Sequence, residues 1–220
     1  MTMIYKAFYE TFLAEMPQRA NGANPFNAQL EMIRINLQYG ADVIKVTDNL
    51  YKQVDSPRSV YWMGTEDASD VSMIVDTEVH ANFRKVMLTS KNPSIPPGSP
   101  PYATDMYLEI RDDSKTKGLA FSSDETMSAQ GERLWKNLVK RGYHISVFDN
   151  SKDQFVLTPI ESGHDLDEYL GGEDKKRFVF ILSESASYGR GVIHHVALME
   201  LKRKCGYPIM EMMTAHLRGN

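Results

Sequence analysis

The chain has 220 residues, with 42% hydrophobic and 25% charged side chains, which suits a globular protein with a sizeable core. A formal net charge of −4 argues against a surface that is one nucleic-acid footprint, and the single cysteine, Cys205, excludes an internal disulfide. No apolar run is long enough to cross a membrane as a helix, and residues 1–16 lack the apolar block of a signal peptide, so a cytoplasmic setting is expected.

Ile4, Phe8, Phe12 and Met16 recur at helical spacing and predict a first helix over 3–16. Asn24-Pro25 suits a helix start, and Phe26, Leu30, Ile33 and Leu37 form the apolar stripe of a second helix that Gly40 ends. Val43, Val46 and Leu50 suggest a third helix. Strands are expected at 59–63 and 71–75. A helix over 78–88 follows from Val79, Phe83, Val86 and Met87 on one face. The stretch 92–101 holds Pro93, Pro96, Pro97, Pro100 and Pro101, and reads as a stiff surface connection or a docking segment for an aromatic groove.

The centre of the chain reads as β-β-α-β-β. Met106, Leu108 and Ile110 alternate with polar neighbours as in a strand, and a second strand is expected at 118–122. Asp124 or Ser128 can cap the helix that carries Leu134, Trp135, Leu138 and Val139, and Gly142 suits its left-handed stop. Strands at 143–148 and 154–158 follow. Residues 165–170 suggest one helical turn, and the apolar run 178–182 reads as a strand buried on both faces. A β-loop-α unit continues from there through a helix over about 192–204. Residues 209–217 fit either a short helix or a last strand. The expected fold is α/β, mixed α+β: N-terminal helices, then a central mixed sheet. The organisation is a helical part with two early strands (1–92), a proline-rich connection (93–101) and an α/β part (102–220), together one globular domain.

Few residues carry chemistry by pattern. The histidines do not assemble into a metal site by spacing, although His144 has the ring to serve as a general base near neutral pH. The loop 183–191 carries Ser183, Ser185, Ser187, Gly189, Arg190 and Gly191 at the start of a helix, where backbone N–H groups and one cation suit a phosphate. The Gly189-x-Gly191 spacing, with a helix and Gly206-Tyr207 after it, resembles the pyrophosphate loop of the CoA-dependent N-acetyltransferases. That loop begins with Gln or Arg, and Ala186 stands at this position here. The resemblance implies an acyl-CoA-dependent N-acetyltransferase-like enzyme with acetyl-CoA as cofactor, and the hydroxyls, glycines and cation of the loop give Ser185, Ser187, Gly189, Arg190 and Gly191 as the residues expected to bind it. The other reading is a non-catalytic accessory protein, of the kind a virus or mobile element carries, that binds a protein partner.

Overall fold

The computed structural model describes residues 25–123, 127–152, 154–160, 163–170 and 178–183. The helices expected over 3–16 and 192–204, the 184–191 loop and the 209–217 segment lie outside these residues. The elements run α1 (Phe26–Gln38), β1 (Ile44–Lys45), β2 (Leu50–Asp55), β3 (Arg58–Gly64), β4 (Val71–His80), β5 (Phe83–Lys91), α2 (Ala103–Lys115), β6 (Ala120–Ser122), α3 (Ala129–Lys140), β7 (His144–Asp149), β8 (Gln154–Ile160), α4 (Gly163–Leu170) and β9 (Phe178–Ser183). The strands form one nine-stranded mixed sheet in the order β1-β2-β3-β4-β5-β6-β9-β7-β8. The mixed α+β class read from the sequence is what the structure has.

Three expected elements are different. The helix expected over 43–50 is instead β1, a Thr47–Asn49 bend and the start of β2. Val43, Ile44 and Val46 are β-branched, and such side chains fit a pleated surface better than a helix turn. The helix expected over 78–88 is a hairpin of β4 and β5, closed in register from His80↔Phe83. Its two-residue turn places Ala81 at φ 52, where Gly or Asn is the usual signal, so the pattern hid the turn. The strand expected at 106–111 is the middle of α2, which buries Thr104, Met106, Tyr107, Ile110 and Ser114. That set has helical spacing, with a polar residue at each end.

The sheet is covered unequally. On one face α2, α3 and α4 place Met106, Tyr107, Ile110, Trp135, Leu138, Val139, Leu166 and Leu170 against Tyr61, Val75, Val86, Phe121, Ile145, Val147, Phe180 and Leu182. On the other, α1 packs Phe26 and Ile33 against Tyr51, Trp62 and Ile74 of β2, β3 and β4. Ser128 caps α3 by accepting from the Gly131 N–H at 3.2 Å, and Gly142 follows that helix at φ 86, both at the positions the sequence marks.

The hairpin geometry predicts a specific asymmetry. A β-branched side chain is strained at positive φ, so Ala81→Val should lower stability by roughly 1–3 kcal/mol. Ala81→Gly should shift it by less than about 1 kcal/mol. Urea unfolding of the two variants checks this, and equal losses would contradict the turn.

Candidate functional site

The sheet changes character between β5 and β6. The strands β2 to β5 are antiparallel neighbours, but β5 and β6 are parallel, joined through α2. Their ladder is short: Phe83↔Ala120, Arg84↔Phe121 and Lys85↔Ser122. β5 then continues to Lys91, whereas β6 ends at Ser122. Beyond that point Ser123 turns to β9. Its N–H donates to the Phe180 carbonyl at 2.8 Å, and its hydroxyl accepts from the Phe180 N–H at 3.0 Å. Residues 86–91 therefore have no strand beside them on this side among the described residues. β5 also carries a bulge where Asp76↔Leu88 is followed by Thr77↔Val86, which leaves Met87 as the extra residue. The result is a wedge between the outer half of β5 and β9, with Ser122 at its apex.

Side chains fix the open stretch from both faces. From α2, the Tyr107 hydroxyl lies 2.7 Å from the Thr89 hydroxyl. Its ring meets Phe121 edge-on at 5.2 Å and Trp135 at 6.2 Å. Burial pushes the Tyr107 phenol up to about 12, against the Thr89 hydrogen bond, so it is neutral near pH 7. From α1, the Gln29 carbonyl oxygen accepts a short bond from the Ser90 hydroxyl, while the Gln29 Nε2 is buried with no partner. At the apex the Ser122 Oγ is likewise buried with no partner among the described residues. These two atoms lie near the two ends of the open stretch, by Ser90 and across from Lys85.

α2 starts where the 92–102 connection ends. That connection is tied to the sheet: Asn92 donates to Ser72 and Val71 carbonyls, at 2.9 and 3.0 Å, and Lys91 bonds the Ser99 carbonyl. Tyr102 occupies the cap position in an extended conformation, with no side-chain cap on the first-turn N–H groups. Arg141, at the end of α3, reaches this turn and donates to Thr104 Oγ1 at 2.6 Å and Asp105 Oδ1 at 2.8 Å. The Asp105 carboxylate thus already supplies a negative charge to this helix start and to the Arg141 guanidinium.

The set Ser185, Ser187, Gly189, Arg190 and Gly191 lies outside the described residues. The strand before it is informative: β9 is antiparallel to β6 and β7, and Ser183 pairs with His144 at the start of β7. β9 thus ends at the edge where β6 and β7 begin, opposite the edge where the wedge opens. His144 is half-buried, and its Nδ1 has no partner. Among the described residues no three His, Cys, Asp or Glu side chains converge as a metal site would require, and no helix is long and apolar enough to cross a membrane. No family model, no curated protein and no solved structure matches this chain.

A second polar cluster sits under the far end of α2. Lys52 Nζ lies 2.5 and 2.6 Å from the two Asp113 oxygens, and the Tyr61 hydroxyl donates to Asp113 Oδ2 at 2.6 Å. Burial alone would raise the Asp113 carboxyl, but the hydrogen bonds from Lys52 and Tyr61 outweigh it and hold the group below its ordinary value. Burial pushes the Lys52 ammonium down to about 8, against the pull of Asp113. This pair anchors α2 to β2 and β3. Removing one partner of a buried pair costs about 3–5 kcal/mol, so Asp113→Asn should destabilise by that order at neutral pH. Because the folded pKa is depressed, Asp113's contribution is complete above its unfolded value, about 3.9. It is lost as pH falls through the lower folded value. Urea unfolding from roughly pH 5 to pH 2 should show a shallower acid decline in Asp113→Asn than in the parent chain; parallel declines would contradict the assignment.

Proposed function

We propose that the chain is an acyl-CoA-dependent N-acyltransferase-like enzyme with acetyl-CoA as its cofactor, bound in the wedge between β5 and β9. The observation that carries this reading is the open stretch 86–91 beyond the three-pair ladder with β6. The arm of CoA is extended and holds two amides, each a donor and an acceptor. An extended amide chain adds to an open strand edge as another strand would. Arg141, which would have to exchange its Asp105 and Thr104 partners, is one cation this reading assigns to the phosphates. The thioester end points to the apex, where the unpartnered Ser122 hydroxyl stands. In this reading the sheet supplies the cofactor's orientation, and the amine acceptor approaches the thioester at the apex. The amine nitrogen bonds to the acyl carbon as the carbon–sulfur bond breaks, and CoA leaves as the thiol. A cytoplasmic setting belongs to the same proposal.

The loop with Ser185, Ser187, Gly189, Arg190 and Gly191 is the other seat for the phosphates, and the two seats are separable. If the α2 seat is right, Arg141→Ala weakens acetyl-CoA binding by about 1.5–3 kcal/mol, as loss of a charged hydrogen bond does, and Arg190→Ala leaves it unchanged. The reverse pattern moves the phosphates to the 189–191 loop. Isothermal titration with acetyl-CoA measures both. Absence of binding by the parent chain would overturn the enzyme reading and favour an accessory protein whose open β5 edge takes a partner's strand.

A further inference from the structure

The cluster under the far end of α2 carries more positive charge than its one carboxylate balances. Lys52 and Arg84 are 1% and 2% exposed, and Lys117 Nζ lies 3.6 Å from Asp113 Oδ2. Asp113 already accepts from Lys52 and Tyr61. The Arg84 guanidinium stands over the Tyr61 ring, 5.5 Å from its centroid. Its Nη1 donates to Thr77 Oγ1 at 3.1 Å, and that hydroxyl in turn donates to the Ser59 carbonyl at 2.9 Å. The Arg84 Nε is buried and has no partner among the described residues. A ring face and one neutral hydroxyl compensate a buried guanidinium poorly, since a buried charge needs a counter-charge and filled hydrogen bonds.

We propose that Arg84 forms the base of a binding site for a small oxyanion, a free phosphate or the phosphoryl group of a larger molecule. The fork of Nε and its neighbouring nitrogen matches two oxygens of such a group, and Lys117 supplies a second cation at the rim. The exposed 116–118 turn joins the helix of Asp113 to β6, whose Phe121 is in register with Arg84, so it is the route the proposal gives the ligand. The site is independent of the wedge, because Arg84 is on the paired part of β5 and Arg141 is at the other end of α2.

The test uses the full chain. Thermal unfolding is followed against inorganic phosphate, and separately against glycerol phosphate, at constant ionic strength. A ligand that binds only the folded state raises the melting temperature, and 31P line broadening gives an affinity. The parent chain should show a saturable response. Arg84→Met, which keeps the aliphatic stem over Tyr61, should weaken affinity about tenfold or more. Should Arg84→Met fail to fold, Thr77→Val, which frees Arg84 Nη1 without removing the charge, should still bind phosphate. A stronger response to glycerol phosphate than to phosphate identifies a phosphomonoester as the ligand, and the reverse identifies the free ion. No saturable response in the parent chain overturns the proposal. So does an unchanged response in Arg84→Met, which would place the anion elsewhere.

Discussion

Three parallel pairs between β5 and β6 join the antiparallel sheet β1–β5 to the group β6, β9, β7 and β8. Everything distinctive about the molecule follows from how early this ladder stops. A longer β6 would fill the space beside residues 86–91 and leave an ordinary closed sheet. Instead β6 ends at Ser122, Ser123 crosses to bond Phe180, and β5 runs on to Lys91 with only β4 beside it among the described residues. An unpaired strand edge inside a fold is costly unless its N–H and C=O groups find other partners, and the Met87 bulge adds one more residue without a cross-strand mate.

The surrounding packing keeps that edge open. Tyr107 holds Thr89 on one face and Gln29 holds Ser90 on the other, so the stretch is pinned by side chains where a neighbouring strand is missing. Tyr107 is itself locked between Phe121 and Trp135, and Trp135 packs on Phe180 at 5.9 Å. The aromatic group thus spans α2, α3, β6 and β9. The Lys52–Asp113 pair secures the opposite end of α2 to β2 and β3. Helix α2 is fixed at both ends, and its first turn is held where β5's connection delivers it.

How much of this was legible in the sequence depends on which interactions set each element. Helices α1 and α3 and strands β3, β6, β7, β8 and β9 follow from local periodicity and from the Ser128 and Gly142 end signals. The misread elements share one cause: a local pattern compatible with two periods. Val79, Phe83, Val86 and Met87 satisfy helical spacing, and only the Ala81-Asn82 turn, without a glycine, decides for the hairpin. Met106, Leu108 and Ile110 satisfy a strand's alternation, while the buried polar ends Thr104 and Ser114 complete the helical face. The wedge was not legible, because an open edge is a property of strand pairing. The direction of β9, which places its end at the edge opposite the wedge, depends on pairing too.

The central claim is that residues 86–91 are an open strand edge that an extended amide ligand completes. Amide hydrogen exchange along β5, read with and without acetyl-CoA, tests it most directly, since a strand edge that gains hydrogen bonds slows its exchange. The account predicts added protection within 86–91 and the first turn of α2, with 83–85 already protected in the free protein by the β6 ladder. Protection that is unchanged in 86–91 while the ligand binds elsewhere would contradict it.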